Sequence, residues 1–265
     1  MARRTRGARI GVAHARAGSL TSLVASDRFA LVTGGGVRLG RAICEGLAEH
    51  GFHVAVHYNS SAAEALETVA VIEQLGRRAV AVQGDLRDGT SCDTLVAKVL
   101  SEFAEDGLDV VVNSAASFNV TRVGETSDVA WDEIFALNTR APFLIAQAAA
   151  PRMRDGGSIV NIADLAGVQA WPSYHAHGAS KAAVIHLTRS LARALGPRVR
   201  VNAIAPGAVL LPEGFTQSAA ERLIEETPLA RLGSPSDVVA AVRYLVDAEF
   251  VTGTLVVVDG GRSAR

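Results

Sequence analysis

Two hydrophobic patterns alternate along the chain from Phe29 to Val258. Short runs of Val, Ile, Leu and Ala are typical of strands that are buried on both faces of a parallel sheet. Between them lie longer segments whose apolar residues recur every three or four positions, which is the period of a helix with one buried side. The short runs predict seven strands, at Phe29–Thr33, Phe52–His57, Ala79–Gln83, Leu108–Asn113, Ser158–Ile162, Val199–Ile204 and Leu255–Val258.

The longer segments predict the helices that connect these strands. Parallel neighbours require crossover connections of this kind. We therefore expect an α/β fold, with a single Rossmann-type domain over residues 28–265 in which helices flank a doubly wound parallel sheet of about seven strands. Ligands bind such folds beyond the carboxyl ends of the strands. The predicted helices are Arg38–His50, Ala62–Leu75, Thr90–Phe103, Trp131–Met153, Ser173–Leu195, Ala219–Glu226 and Pro235–Leu245.

Composition narrows the class of protein. The formal net charge is −1, so no global field favours nucleic acid or an anionic membrane, and no apolar run is long enough to cross a bilayer. The two cysteines form no metal-binding or disulfide pattern, which fits a reducing, cytoplasmic setting. Residues 1–27 are rich in arginine, and we interpret them as a disordered tail or a misassigned start in preference to an organelle transit peptide.

A glycine-rich turn follows the first predicted strand and leads directly into the first helix. Gly34 and Gly40 allow a tight turn and a close approach of the backbone, while Arg38 and Leu39 open the helix. Free backbone N–H groups at a helix start bind a pyrophosphate, so this position favours a dinucleotide over an ordinary strand-to-helix loop.

The end of the second strand indicates which dinucleotide binds. An NAD site usually has Asp or Glu there to bind the ribose hydroxyls, whereas this chain has His57, Asn59, Ser60 and Ser61. No carboxylate is present to repel a 2′-phosphate, and Arg38 can approach that phosphate as a cation. We expect NADP(H) as the cofactor, bound by these residues.

Further residues at strand ends complete the expected cofactor site. Asp85 and Leu86 follow the third strand, where Asp85 either accepts from the adenine amine or caps the next helix. Asn113 and Ala115 follow the fourth strand, and small residues there let a cofactor lie against the strand end.

Taken together, these motifs resemble the short-chain dehydrogenase/reductase family over Arg28 to Gly261. The glycine motif spans Thr33 to Gly40, the chain has Asn113-Ser114-Ala115-Ala116 where the family has NNAG, and Asn138 matches the family's helix asparagine. Pro206-Gly207 matches the family's motif after the sixth strand, which implies a contact with the nicotinamide. Thr252-Gly253 and Asp259-Gly260-Gly261 match the family's last motif. The resemblance implies a small-molecule substrate and a homotetramer or homodimer built on the two long predicted helices.

Within the family the sequence is most similar to the pteridine reductase branch. Arg38-Leu39-Gly40 and the segment from His57 to Ala65 match that branch, although Ser60 stands where the branch often has an arginine. Phe118 resembles its aromatic residue that stacks on the pterin ring, and Asp164 stands at the position of its catalytic Asp. The resemblance therefore implies that Phe118, Asp164 and Tyr174 contact the substrate.

The proton donor is the residue at which this chain departs from the family. The family uses a tyrosine four residues before Lys181, but that position is His177. Three hypotheses stay open: His177 donates the proton, since an ordinary imidazole titrates at about pH 6.5; Tyr174, seven residues before Lys181, donates it instead; or catalysis is lost. Asn138, Asp164 and Lys181 are all present, which favours an active enzyme.

The sequence therefore predicts an NADPH-dependent reductase of the short-chain type, acting on a pteridine or a related C=N or C=O substrate. The first alternative is an oxoacyl- or enoyl-thioester reductase. The second is a protein that binds NADP but has lost catalysis because His177 replaces the family tyrosine. No metal is expected to take part in any of the three.

Overall fold

A computed structural model describes residues 27–104, 106–211 and 214–264. Within these residues, seven strands form one parallel sheet in the order β3-β2-β1-β4-β5-β6-β7, which confirms the doubly wound fold. The tail predicted over residues 1–27 lies outside the described residues, apart from Asp27. The strands are β1 (Arg28–Thr33), β2 (Phe52–Tyr58), β3 (Ala79–Gln83), β4 (Leu108–Asn113), β5 (Met153–Ile162), β6 (Val199–Pro206) and β7 (Leu255–Val258).

Helices cover both faces of the sheet. They are α1 (Arg38–Glu49), α2 (Ala62–Gln74), α3 (Gly89–Glu102), α4 (Asp128–Phe135), α5 (Ala141–Ala149), α6 (His175–Leu195), α7 (Gln217–Glu225) and α8 (Pro235–Asp247). One apolar cluster includes Val96, Ile145 and Ala192 and lies under α3, α5 and α6. The other includes Ile43 and Val242 and lies under α1, α2 and α8. The strands are apolar on both faces because each face of the sheet packs on a helical layer.

One predicted helix, Trp131–Met153, is wrong as a single element. The structure divides it into α4, a π-helical turn at Ala136–Arg140, α5 and a 3₁₀ turn, and Met153 already belongs to β5. Periodicity does not reveal this division, because every piece keeps the apolar spacing of a helix. Since a π turn inserts an extra residue, it redirects Asn138 towards the interior, where that side chain is buried.

The strand order determines where the cleft lies. The chain moves outwards from β1 through β2 to β3, then returns to the other side of β1 at β4. The loops after β1 and β4 therefore separate and leave a crevice at their carboxyl ends. Within the described residues, none of the helices is both long and apolar enough to cross a membrane.

Candidate active site

The glycine turn between β1 and α1 is shaped for close backbone approach. A Cβ at Gly40 would lie 1.9 Å from the carbonyl oxygen of Gly34, and Gly34 itself has a φ of +66°. The helix is preceded by Val37, which has no polar side chain with which to cap the first N–H groups. Those donors therefore face the crevice, and an anion such as a pyrophosphate fits them.

Arg38 joins the two sides of the crevice. Its guanidinium donates to the carbonyl oxygens of Leu210 and Leu211, each at 3.3 Å, in the loop that follows β6. Its expected contact with a 2′-phosphate stays a prediction, because these carbonyl groups are its present partners. The side chain of Leu39 packs on the core, so only the backbone of that residue is available to a ligand.

His57 connects the glycine turn to the end of β3. Its Nδ1 accepts the backbone N–H of Gly34 at 3.0 Å, so its Nε2 carries the hydrogen and donates to the carbonyl oxygen of Gly84 at 3.0 Å. The ring is buried, and burial lowers the pKa of His57. The sequence predicted a cofactor contact here, whereas the structure shows that the side chain supports the loops around the crevice.

The three residues beyond β2 are accessible, as a phosphate site requires. Asn59 and Ser60 are exposed, and Ser61 is half-buried at the start of α2. The backbone carbonyl of Asn59 accepts from the Gln83 side chain at 3.0 Å, which ties the end of β2 to the end of β3. Ser61 makes no capping hydrogen bond to α2, so its hydroxyl is available to a ligand.

The predicted capping role of Asp85 is wrong. Its carboxylate accepts from the backbone and guanidinium of Arg87, at 3.0 and 3.1 Å, and this pairing lowers its pKa. The cap of α3 is Asp88, which accepts from the backbone N–H of Thr90. Leu86 is buried among the core residues between Asp85 and α3, so its side chain supports the crevice from below.

Beyond β4, the cleft wall is fixed by polar contacts between neighbouring strands. Thr33 Oγ1 accepts the N–H groups of Ser114 and Ala115 at 3.0 and 3.1 Å, which holds the end of β4 against the end of β1. Asn113 donates to Asn161 at 2.8 Å, while its own buried Oδ1 has no partner within the described residues. A buried acceptor without a partner favours a donor from a bound ligand.

Pro206-Gly207 stands at the carboxyl end of β6, and its expected contact with the nicotinamide stays a prediction. The N–H of Gly207 donates to the Val258 carbonyl at 2.9 Å, which continues the β6–β7 ladder past Pro206. A Cβ at Gly207 would lie 2.8 Å from Cβ of Asp259, so the backbone here requires glycine.

Asn138 makes several hydrogen bonds in the polar network beside the substrate region. Its Oδ1 accepts the N–H of Ser117 at 2.8 Å, and its Nδ2 donates to the Ser117 carbonyl at 3.0 Å and to Ser180 Oγ at 3.1 Å. These three bonds tie the loop after β4 to α6. Sequence analysis identified Asn138 but missed Ser117 and Ser180, since a serine in a loop or helix carries no distinctive signal.

Lys181 is buried at the base of the site. Its Nζ donates to the carbonyl oxygen of Ile162 at 2.8 Å, at the end of β5. Burial lowers the pKa of Lys181 from its ordinary value of 10.5 to about 8, and the nearby Asp164 carboxylate opposes part of that shift. An ammonium group held there is a strong donor for the hydroxyl groups of a ribose.

Asp164 and His177 form an acid–imidazole pair above Lys181. The distance from Asp164 Oδ2 to His177 Nε2 is 3.6 Å, and the two side chains differ in exposure, 24% for Asp164 against 2% for His177. Asp164 Oδ1 accepts the N–H of Ala166 at 2.7 Å, which fixes the carboxyl group. The carboxyl therefore faces the cleft, and the imidazole lies behind it.

An aromatic cluster borders this pair. Phe118 and Tyr174 stack at 4.5 Å between ring centroids, with an interplanar angle of 19°, and Trp171 meets both rings edge-on. Phe118 also meets the His177 ring edge-on at 4.8 Å, so it covers the imidazole. Tyr174 precedes α6, which begins at His175 and not at the predicted Ser173. Its ring lies against Phe118.

The fold and this site together define a dinucleotide-binding oxidoreductase. A family model described as enoyl-(acyl carrier protein) reductase matches residues 36–263. The chain belongs to the short-chain dehydrogenase/reductase family.

Relatives with known names are similar over almost the whole domain. The 3-oxoacyl-[acyl-carrier-protein] reductase FabG of Staphylococcus aureus is 33% identical over 241 residues, which cover 88% of this chain and 97% of that protein. A blue fluorescent protein from a metagenomic library, solved with NADPH, has a TM-score of 0.84 at 33% identity, covering 89% of this chain and 98% of that one. The angucycline C-6 ketoreductase LanV, solved with NADP, has a TM-score of 0.84 at 31% identity, covering 90% and 96%.

Proposed function

We propose that the protein is an NADP(H)-dependent reductase that converts a ketone carbonyl of a small molecule, in the class of 3-oxoacyl thioesters and related ketones, into an alcohol. One observation carries this proposal: Asn138, Asp164, His177 and Lys181 meet at the carboxyl end of β5, beside the crevice that the glycine turn opens. Proton-transfer groups next to a dinucleotide site are the equipment that carbonyl reduction requires.

The residues around the crevice fit NADP(H). The uncapped start of α1 suits the pyrophosphate, and the exposed Asn59 and Ser60 with Ser61 suit a 2′-phosphate, since the segment from His57 to Ser61 contains no carboxylate. Two solved relatives contain NADPH or NADP, which supports the same choice for this chain. The cofactor, when bound, supplies the hydride that reduces the carbonyl carbon.

The protein residues have separate roles in this reaction. Lys181 holds the ribose of the nicotinamide through its buried ammonium group. Asn138 keeps the loop of Ser117 and the start of α6 in a fixed position, since it bonds to both. The pair of Asp164 and His177 supplies the proton that the product oxygen takes up.

A ketone is favoured over the pterin ring that the sequence suggested. The named relatives are a 3-oxoacyl-[acyl-carrier-protein] reductase and an angucycline C-6 ketoreductase, and both names describe the reduction of a keto group. The exposed, stacked ring of Phe118 offers a flat apolar surface beside the reaction site, which suits a planar substrate of either kind. For this reason a dihydropterin belongs in the substrate panel as the second candidate.

NADPH oxidation, followed by absorbance, tests the proposal. The panel contains acetoacetyl-CoA, a polycyclic aromatic ketone, a dihydropterin and an enoyl thioester, each with the wild type and with Lys181→Met. We expect turnover of a ketone by the wild type and its loss in the variant. NADPH binding without oxidation by any member of the panel would overturn the proposal in favour of a binding protein.

A further inference from the structure

The hydrogen bonds around His177 determine which of its nitrogens faces Asp164. Nδ1 lies 3.0 Å from the carbonyl oxygen of Ser117, which can only accept, so Nδ1 carries a hydrogen. Asn138 Nδ2 is 3.4 Å from the same nitrogen but already donates to Ser117 and Ser180. Nε2 is then the nitrogen that is free to exchange a proton.

Nε2 is buried and has no hydrogen-bond partner within the described part of the chain. It faces Asp164 Oδ2 at 3.6 Å, while the other oxygen of that carboxyl group is held by the N–H of Ala166. A bare nitrogen lone pair facing a carboxylate oxygen is repulsive in a buried site, whereas one proton between the two makes the contact attractive. The arrangement therefore calls for one shared proton.

We propose that Asp164 and His177 together hold one proton, and that Asp164 passes it to the substrate oxygen while His177 acts as a positioning residue behind it. This inference rests on the proposed ketone reduction. As hydride forms the new C–H bond and the C=O π bond breaks, the shared proton leaves the pair through Asp164 Oδ2, so its bond within the pair breaks and the product O–H bond forms. Asp164 is then a carboxylate beside a neutral imidazole, and a proton from solvent restores the pair. The sum is one ketone, one NADPH and one proton giving one alcohol and one NADP⁺.

The geometry favours Asp164 over the other two candidates as the group that meets the substrate. His177 is almost fully buried, and Phe118 covers its ring, so a substrate oxygen reaches the carboxyl group first. Tyr174 is held by other contacts, because its ring stacks on Phe118 and its backbone forms a β-bridge with Thr121.

The shared proton can be tested without any substrate. We would follow the ¹⁵N resonance of His177 Nε2 against pH in the cofactor-free protein, in the wild type and in Asp164→Ala, which removes the carboxyl group that faces Nε2. We expect a hydrogen-bonded or protonated Nε2 at neutral pH in the wild type, and a bare nitrogen in the variant. The same bare nitrogen in both proteins would overturn the shared proton, whether or not the protein is a reductase.

Kinetics then assign the donor. With a ketone that the wild type reduces, Asp164→Asn should lower kcat by about 100-fold or more, the usual contribution of a general acid. His177→Gln should lower it by about tenfold, as a supporting residue does, and should shift the acidic limb of the pH–rate profile. Control variants are His175→Gln, on the exposed start of α6, and Asp155→Asn, at the opposite end of β5.

NADPH affinity, measured by fluorescence, should stay within about twofold in both test variants, which separates lost chemistry from lost folding. A larger loss of kcat in His177→Gln than in Asp164→Asn would overturn Asp164 as the donor. So would a dominant loss in Tyr174→Phe. If no ketone is reduced by the wild type, the proposed function fails, and the resonance measurement alone still decides the state of the pair.

Discussion

His57 accepts the backbone N–H of Gly34 through Nδ1, and in the same orientation it donates to Gly84 through Nε2. One neutral imidazole thus connects the turn expected to hold the pyrophosphate to the loop expected to face the adenine. Both bonds require the neutral ring with its hydrogen on Nε2, because a charged ring has no acceptor for Gly34. We therefore expect cofactor binding to depend on the protonation of this buried side chain.

The first prediction concerns pH. Burial lowers the pKa of His57 below its ordinary value of 6.5. As the pH falls from 6.5 towards the lower folded pKa, the unfolded chain takes up the proton first, so the free energy of unfolding decreases. His57→Phe should lose about 2 kcal/mol at pH 7.5 because it leaves a buried N–H and a carbonyl without partners. This difference from the wild type should shrink towards pH 5.

Thermal unfolding at several pH values measures this difference, and NADPH titration should show weaker binding by the variant at pH 7.5. His186→Gln, an exposed histidine on α6, serves as the control and should behave like the wild type. A constant gap between the wild type and His57→Phe from pH 7.5 to 5 would contradict the assignment of the neutral ring.

The second prediction separates stability from activity at Lys181. Because burial lowers the pKa of Lys181 to about 8, the buried ammonium group decreases the free energy of unfolding. This decrease is complete below pH 8 and disappears above pH 10.5, the ordinary pKa of this lysine in the unfolded chain. Lys181→Met should therefore raise the free energy of unfolding by about 1–2 kcal/mol at pH 7, after allowing for the lost bond to Ile162. The gain should vanish near pH 10, and reduction should be lost at every pH.

Chemical denaturation at pH 7 and pH 10 checks the stability, and NADPH oxidation checks the activity. Lys98→Met, on the exposed side of α3, provides a control at the only other lysine of the chain. A destabilised Lys181→Met at pH 7 would show that the ammonium group contributes more to the fold than its burial costs.

The third prediction concerns the choice of cofactor. Asn59 and Ser60 are exposed beyond β2, with no carboxylate between His57 and Ser61. Asn59→Asp places a negative charge where the 2′-phosphate is expected, so it should raise the Kd for NADPH by about tenfold or more and leave the Kd for NADH nearly unchanged. Glu73→Gln, on α2 and away from the crevice, is the control for a change of charge. A wild-type preference for NADH would contradict the role given to Arg38 and the serines.

The architecture was readable from sequence because its signals are local. The strands at the centre of the sheet, β1 and β4, contain runs of buried apolar residues at 29–32 and 110–112, and glycines follow the first two helices where the backbone adopts a positive φ. The π turn around Asn138 could not be read in this way. Within it, Asn138 bonds to Ser117 and Ser180, which lie far from it in the chain, so the sequence around Asn138 carries no local signal for these contacts.

The ionisable residues of the candidate site could be predicted from the sequence, but their depth below the surface could not. The spacing of Asp164, His177 and Lys181 placed all three at one pocket, as the structure has them. Which group reaches the cleft depends on Phe118, whose ring covers His177 and leaves Asp164 at the surface of the site. That depth is a product of tertiary packing, and residue spacing contains no information about it.

The last prediction concerns assembly. Trp131 and Phe143 are each 39% exposed on α4 and α5, and Trp131 stacks on Phe135 at 5.2 Å, which makes an aromatic surface on the outside of the sheet's helical layer. Large exposed aromatic residues of this kind favour an interface, and we expect a second copy of the chain to cover them in a homodimer or homotetramer.

The double variant Trp131→Glu with Phe143→Glu should weaken association by more than about tenfold. The control variant Leu66→Glu, at an exposed position of α2 on the opposite face of the sheet, should not weaken it. Sedimentation velocity distinguishes these outcomes, and a wild type that sediments only as a monomer would rule out the assembly.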